Sequence, residues 1–398
     1  MSHEATRADR VIELAKLLAR LGFTAFGGPA AHIAMIEDEV VVRRRWIDRE
    51  HFLDLVASVN FIPGPNSTQL VMLLGLLRGG FLGLVVAGCC FIIPAVLIIL
   101  PLAWLYVSYG TVPTVLPILR GIGAVVAAVV AVVAIRLLRS TMRSVSAVAC
   151  GILAFGLSVI AAMGWGPAHG HFQPELVSLG LAACWGWFSS RPDDSKLPGL
   201  LLLPLTGAPA AGLGAMALFF LKVGATLFGS GYVLVSYLQS GLVDERGWLT
   251  QRQLVDAIAV GQFTPGPLLT TATFVGYLLG SVRFAGGARG GIEGGVIATV
   301  AIFAPSFVFV ALLGPSLQRI RLYPPARAAL NGMNAAVAGL LAAVAMRLLA
   351  GSIHDQSGVE LINAIIIAAA MIAMGRGINA TWLIVLGALA GWAASLAR

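Results

Sequence analysis

Asn60-Phe61-Ile62-Pro63-Gly64-Pro65-Asn66 is the most informative run of the chain, because it returns 202 residues later as Gln262-Phe263-Thr264-Pro265-Gly266-Pro267-Leu268. Proline lacks an N–H and cannot continue a helix, and glycine between two prolines permits a sharp turn. Each run splits an apolar stretch into two pieces that are too short to span a bilayer singly. We therefore expect a re-entrant hairpin or a broken helix at each run.

The repeat extends well beyond these turns. Residues 22–68 align with 224–270 without a gap and are identical at 14 of 47 positions. It resumes at an offset of 211, where Pro94 matches Pro305. The chain is therefore predicted to be duplicated, with a first membrane repeat, a linker and a second membrane repeat at 1–190, 191–209 and 210–398.

The composition places the chain in a membrane. Hydrophobic residues make up 58% and charged residues 11%, whereas soluble domains have about 25% charged residues. The fold class is predicted to be an all-α integral membrane protein, and no nucleic-acid partner is expected, because the net charge of +8 comes from basic inter-helix loops. Besides the split pieces, the predicted apolar segments are 81–107, 113–138, 145–165 and 175–188, then 291–313, 326–349, 359–375 and 379–397.

The basic residues predict that the two repeats are inverted. In the first half the loop 108–113 has no Lys or Arg, whereas the matching loop 314–327 has three arginines. The first-half loop 139–143 is basic, whereas its counterpart Gly351–Asp355 is not. Because cytoplasmic loops are enriched in Lys and Arg, matched loops lie on opposite sides, which is a common plan of secondary transporters. We expect a multi-pass protein of the bacterial inner (plasma) membrane.

The Pro-Gly-Pro turns are candidate anion sites. A helix that begins after such a turn has free N–H groups that can face an anion. Irregular backbone at membrane depth is tolerated where it is buried in protein or lines a cavity. The first turn is followed by the polar run Asn66-Ser67-Thr68-Gln69, and the second is followed a little later by Thr270 and Thr271. A purely structural kink is the alternative.

A glycine break forms the second candidate. Phe26-Gly27-Gly28-Pro29 interrupts an apolar segment and is matched by Phe228-Gly229-Ser230-Gly231. Discontinuous helices at matched positions of two halves point to a transporter's binding site. The alternative is close helix packing through small residues.

Charged and amide side chains inside apolar segments are the third candidates. Lys222 lies in the second broken segment, and Arg120 and Asn331 occupy matched positions near the start of two spans. Such residues are costly in lipid and often functional, although Arg120 could also reach the interface. The predicted substrate-binding residues are Gly27, Gly28, Pro63, Gly64, Pro65, Asn66, Ser67, Thr68, Gln69, Arg120, Lys222, Gly229, Ser230, Pro265, Gly266, Pro267, Thr270, Thr271 and Asn331.

Three acidic residues are candidates for ion coupling. Asp54 and Asp256 are matched and open the split pieces, where they either cap backbone N–H groups or carry a proton. Glu37 begins the run Glu37-Asp38-Glu39, which could pair with Arg43–Arg45 or relay protons, although we favour the interpretation as solvated loop charges. His32 is given a peripheral role. No cofactor and no metal site is predicted, since His169 and His171 have too little around them.

Taken together, Phe26-Gly27-Gly28-Pro29, the Glu-Asp-Glu-Val run at 37–40, Trp46 and the two Pro-Gly-Pro runs resemble the chromate ion transporter family in its long-chain, two-domain form. The resemblance covers nearly the whole chain. It implies a secondary transporter that exports chromate from the cytoplasm and confers chromate resistance. The second half departs from the pattern at Ser230, Gly231 and Leu268, so the halves need not bind substrate equally.

Two alternatives stay open. One is a transporter of sulfate or another oxyanion on the same scaffold, since sulfate shares the charge and shape of chromate. The other is a membrane-embedded enzyme acting on a lipid phosphate, which normally needs clustered carboxylates, histidines or a metal. The partners considered are chromate, possibly sulfate, the lipid bilayer and a second copy in a homodimer.

Overall fold

The computed structural model describes residues 6–110, 112, 114–163, 173–189, 212–355, 358–359 and 361–396. These residues are almost entirely helical, which confirms the predicted all-α class. The helices of the first half are α1 (Arg7–Thr24), α2 (Pro29–Glu37), α3 (Arg49–Val59), α4 (Asn66–Tyr109), α5 (Leu116–Thr141), α6 (Val145–Ala162) and α7 (Pro174–Ser189).

The second half contains nine helices in its described part. They are α8 (Leu213–Thr226), α9 (Val233–Leu238), α10 (Gln251–Phe263), α11 (Thr271–Leu278), α12 (Gly287–Leu313), α13 (Leu317–Leu322), α14 (Pro324–Ile353), α15 (Leu361–Gly375) and α16 (Ala380–Leu396). The remaining short elements are the π-helical turns Asp38–Arg43, Gln239–Asp244 and Leu279–Arg283, the 3₁₀ turns Leu268–Thr270 and Gly314–Ser316, and an antiparallel ribbon of β1 (His354–Asp355) and β2 (Gly358–Val359).

Among the described helices, five are long and apolar enough to cross a membrane, namely α4, α5, α6, α12 and α14. A crossing needs about 20 residues. Helices α7, α15 and α16 have 16, 15 and 17 residues, so three predicted segments form shorter helices. A protein that passes through the membrane several times is therefore confirmed, whereas the predicted linker 191–209 lies outside the described residues.

Helix α4 consists of two helices joined at Gly80. There φ is 63° and ψ is −152°, a conformation that glycine adopts readily and other residues do not. The Gly79 carbonyl at this kink accepts hydrogen bonds from Nε and Nη2 of Arg7 at 3.1 and 2.7 Å. Two arginine donors thus satisfy the backbone at the junction between the predicted pieces 66–78 and 81–107.

Packing divides the chain into two compact units. The first comprises the described parts of Met1–Tyr109, Ala211–Gly231 and Val260–Ile320. In it, α1 packs along α4 and α8 packs along α12. Gly22 lies against the Phe91 carbonyl, and its repeat partner Gly224 lies against the Ile302 carbonyl. The same helix contact therefore occurs twice, once within each half of the sequence.

The matched helices α4 and α12 also pack against each other in this unit, and they run in opposite directions. Gly88 lies under the Phe307 ring, whereas Leu100 lies against Gly295. A step toward the C-terminus of α4 therefore corresponds to a step toward the N-terminus of α12. The two copies of this helix are antiparallel.

The second unit comprises the described parts of Gly110–Ala210, Tyr232–Ala259 and Arg321–Arg398. Helix α14 packs on α5, α6 and α7, and α5 packs on α15 and α16. A Cβ added to Gly339 of α14 would lie 2.1 Å from the Gly151 carbonyl oxygen of α6, so glycine permits close helix approach here. Residues 232–259 belong to this unit, although their repeat partners 30–57 belong to the first unit. The boundaries of the packing units therefore differ from the boundary between the two sequence repeats.

Candidate functional site

Both predicted glycine breaks separate two helices in the first unit or at its border. Residues 25–28 lie between α1 and α2, and residues 227–232 lie between α8 and α9. Gly27 and its repeat partner Gly229 have φ of 101° and 89°, where other residues are strained. The backbone of each break is therefore held in a conformation that its glycine makes possible.

The two Pro-Gly-Pro turns are hydrogen-bonded to these breaks in a reciprocal way. The Gly64 N–H donates to the Leu227 carbonyl at 2.6 Å, and the Gly266 N–H donates to the Ala25 carbonyl at 2.9 Å. Gly64 and Gly266 are matched in the repeat, and so are Ala25 and Leu227. Each half thus supplies the turn that braces the helix break of the other half.

A small cavity lies where these turns and breaks meet. Its volume is about 40 Å³, which exceeds the roughly 10–15 Å³ that a cavity needs to hold one water molecule. All of the residues that line it are uncharged, and both halves contribute. The lining residues are Pro29, Pro65, Asn66, Ser67, Gly229, Ser230, Gly231, Leu268 and Leu269.

Helix starts surround this cavity. Pro29 is the first residue of α2 and Asn66 is the first residue of α4. The first N–H groups of a helix have no partner within the helix and form its positive end. Leu268 opens the 3₁₀ turn that leads into α11. The cavity therefore combines backbone donors with the side chains of Asn66, Ser67 and Ser230.

His32 connects a glycine break with the cavity wall. Its Nε2 lies 3.0 Å from the Ala25 carbonyl oxygen, and its Nδ1 lies 3.4 Å from Oγ of Ser67. Because a carbonyl only accepts, Nε2 carries the proton and Nδ1 accepts from the Ser67 hydroxyl. His32 is 1% exposed, so it lies within the fold beside the cavity wall, and the peripheral role predicted from the sequence stays a prediction. Its position directly after Phe26–Pro29 was the signal that could have identified it.

Gln69 braces the first Pro-Gly-Pro turn. It is fully buried, and its Nε2 donates to the Pro63 carbonyl at 2.6 Å. Its Oε1 and the Thr68 hydroxyl are buried without a hydrogen-bond partner. These two residues lie beside the cavity lining in sequence and hold unused polar atoms there.

Thr270 and Thr271 support the second turn. Their hydroxyls donate to backbone carbonyls three residues earlier, at 2.6 and 2.8 Å. Such bonds back to preceding carbonyls hold the backbone of the turn locally. The two threonines are buried but are not part of the cavity lining.

Three predicted substrate contacts are not among the residues that line the cavity. Lys222 is partly buried on α8 and does not line the cavity. Arg120 on α5 and Asn331 on α14 are exposed and belong to the second unit. These three are not brought together with the turns and breaks within the first unit.

The predicted coupling residues have different surroundings. Glu37 pairs with Arg49 at 3.2 Å between Oε1 and Nε. Asp54 is partly buried on α3. Asp256 is 2% exposed, with its Oδ2 3.8 Å from Nε of Arg252.

Glu39 is buried rather than solvated, which corrects the interpretation of its acidic run as loop charges. Only 6% of its side chain is exposed, and it pairs with Arg20, Arg44 and Arg43, the last at 3.5 Å. The π-helical turn Asp38–Arg43 contains it. Pairing with several cations offsets the cost of burying a carboxylate.

Within the described residues, no group of three or more His, Cys, Asp or Glu side chains comes together that could hold a metal ion. His169 and His171 lie outside those residues.

Comparison with known proteins agrees with this organisation. The family model described as chromate transporter matches the chain twice, over residues 12–187 and 214–392. The two matches suggest duplicated halves that correspond to the internal repeat. No solved structure matches the chain significantly.

Curated relatives match the chain over most of its length. A probable chromate transport protein of Synechococcus elongatus is 30% identical over 355 residues, which cover 86% of each chain. A chromate transport protein of Cupriavidus metallidurans is 28% identical over 86% of this chain and 84% of its own. One of Pseudomonas aeruginosa is 28% identical over 94% of this chain and 90% of its own. This chain therefore belongs to the chromate transporter family.

Proposed function

We propose that the chain is a secondary transporter that exports chromate from the cytoplasm, and that the cavity between the turns and breaks is its oxyanion site. Three relatives that span most of the chain are named as chromate transport proteins. The observation that carries the site is the cavity itself, since the matched motifs of both halves build its wall. Because the chain belongs to a transporter family, a membrane-embedded enzyme that acts on a lipid phosphate is disfavoured.

An uncharged site with many donors suits a transported dianion. The first N–H groups of α2 and α4, which have no partner within their own helix, can replace part of the hydration shell. A full countercharge would hold a dianion too firmly for release, because transport needs binding that is also reversible. One N–H of the Asn66 amide donates to Oδ1 of Asn60 at 2.5 Å, and the other is a further donor for the anion.

The two halves are proposed to be inverted repeats that work by alternating access. The antiparallel packing of the matched helices α4 and α12 supports this, as does the reversed distribution of basic loops in the sequence. In such transporters the substrate site lies near the bilayer midplane, at discontinuous helices. One part of each repeat would then move against the rest.

The proposed location is the bacterial inner membrane, with the basic side of the first half in the cytoplasm. Exposed Arg43, Arg45 and Arg49 cluster in one loop of that half, and positive loops face the cytoplasm. Sulfate as a second substrate and a homodimer stay predictions.

Chromate flux into proteoliposomes tests the proposal. The purified chain would be reconstituted, and saturable chromate flux would be measured with sulfate as a competitor. Asn66→Leu removes an amide from the cavity wall. A lost hydrogen bond to a charged ligand costs about 1.5–3 kcal/mol, so we expect affinity for chromate to fall by roughly tenfold or more.

Asn331→Leu is the matched control, since it makes the same change on an exposed face of α14. We expect it to keep wild-type flux. Normal flux by Asn66→Leu together with loss of flux by Asn331→Leu would move the site away from the cavity. Sulfate flux without chromate flux would keep the site and replace the substrate.

A further inference from the structure

Glu175 is a buried acid outside the proposed oxyanion site. It stands in the first turn of α7, a helix of 16 residues that is not among the five long enough to cross a membrane. Its side chain is 2% exposed, and its Oε2 has no hydrogen-bond partner. A buried carboxyl with an unused oxygen needs an explanation.

Hydroxyl groups rather than cations surround it. Ser240 lies close enough to favour the charged form of the Glu175 carboxyl, and its hydroxyl donates to the Tyr237 carbonyl at 3.5 Å. Ser178 lies one turn along α7 and Ser236 lies one turn before Ser240, and the hydroxyls of both are buried without a partner. Residues one turn apart share a helix face. A group of partly unsatisfied hydroxyls thus accompanies the acid.

The charged groups nearby are committed to one another. Asp244 accepts from Nη1 of Arg347 at 2.6 Å, and Glu245 accepts from Nη1 of Arg246 at 3.1 Å. Both acids act on Glu175 by repulsion, and among the described groups that act on it there is no cation. Within the described part of the chain, no opposite charge therefore offsets the negative charge of the buried Glu175 carboxyl.

The two helices packed against α7, namely α6 and α14, supply no cation that pairs with Glu175. Helix α6 has no charged residue, and α14 has Arg327 and Arg347. Arg327 precedes Ala328, which lies against Gly186, and Gly186 is about 16 Å along α7 from Glu175. Arg347 is the partner of Asp244.

Burial raises the pKa of Glu175 to about 7, and the nearby Asp244 and Glu245 contribute in the same direction. The carboxyl is therefore neutral below about pH 7 and becomes charged above it. In the neutral form its O–H becomes a donor. The unused oxygen and the free hydroxyls provide places for such a proton to bond.

We propose that Glu175 binds the proton that is coupled to transport, a step that rests on the transport function proposed above. Binding converts the carboxylate into a carboxylic acid, and release returns the proton to water. Along the chain, Ser240 follows the glycine break at Gly229–Gly231 through α9 alone. Protonation of Glu175 thus changes the charge next to Ser240, which follows α9, a short helix whose other end follows the glycine break.

Measurements of chromate flux into proteoliposomes test this role of Glu175. Flux would be measured first at a series of pH values that are equal inside and outside the vesicles, and then with a pH gradient across the membrane. Wild-type flux is expected to change around pH 7 and to respond to the gradient. Glu175→Gln should show neither effect, whereas Glu175→Asp, which keeps a carboxyl, should show both. Glu50→Gln is the control and should keep both effects, because Glu50 is exposed on α3 and is not among the groups that act on Glu175.

Infrared difference spectra between acid and alkaline pH give a readout that needs no flux. Between about pH 6 and pH 8, where ordinary carboxyls stay ionised, a carboxyl band is expected in the wild type and in Glu175→Asp, and it should be absent from Glu175→Gln. Chromate flux with unchanged pH dependence in Glu175→Gln would overturn the coupling role alone. An unchanged infrared band in Glu175→Gln would overturn proton binding. Absence of chromate flux in the wild type would instead refute the transport function, and the coupling role with it.

Discussion

Replacing Gly64 by alanine should disrupt the first Pro-Gly-Pro turn more than an ordinary loop substitution does. Gly64 has φ of 132°, and a Cβ there would lie 2.3 Å from Nε2 of Gln69 and 2.5 Å from Oγ of Ser306. Both distances are far below van der Waals contact. The Gln69 amide must therefore move away from the Pro63 carbonyl, to which it donates.

The expected cost has two parts. A non-glycine residue in this backbone region costs about 1–3 kcal/mol. Loss of the hydrogen bond from Gln69 adds roughly 0.5–1.5 kcal/mol. We therefore expect Gly64→Ala to lower the free energy of unfolding by about 2–4 kcal/mol.

Gly377→Ala is the matched control. Gly377 has φ of 90°, but a Cβ there would meet no atom within 4 Å. Gly377→Ala should therefore lower the free energy of unfolding through backbone strain alone, without a steric clash. Equilibrium unfolding in lipid–detergent micelles measures both variants, and Gly64→Ala should be the less stable by about 1 kcal/mol. Equal or smaller destabilisation by Gly64→Ala would refute the packing described for this turn.

Two further substitutions test the ion pairs and the kink of the first unit. Glu39→Gln should lower the free energy of unfolding by about 1–2 kcal/mol in low salt and by less in high salt, because its arginines are partly exposed. Glu50→Gln, at an exposed position, should change it by less than about 0.5 kcal/mol. Arg7→Gln removes both donors to the Gly79 carbonyl and should cost about 1 kcal/mol, whereas the exposed Arg10→Gln should be neutral in the same unfolding assay. Equal effects of Arg7→Gln and Arg10→Gln would contradict the role given to Arg7.

The turns and breaks of the site could be predicted because proline and glycine act locally. Pro63-Gly64-Pro65 ends a helix wherever it stands, and its recurrence as Pro265-Gly266-Pro267 marks a second such place. The kink at Gly80 likewise follows from a glycine pair. Membrane location followed from composition alone.

The pairing of these features could not be predicted from the sequence. The bond from Gly64 to Leu227 joins residues far apart in the chain, and no local pattern specifies it. Burial of Glu39 depends on where three arginines converge. Glu175 begins an otherwise apolar helix, and only the fold shows that the nearby cations pair with other acids.

Equilibrium binding of radiolabelled chromate to the purified chain in detergent is the most direct test of the proposed oxyanion site. It needs neither a gradient nor an intact membrane, so it reports on the cavity alone. We predict saturable binding by the wild type and by Asn331→Leu, and affinity lower by roughly tenfold or more in Asn66→Leu. Equal binding by Asn66→Leu and the wild type would contradict the placement of chromate between the turns and breaks.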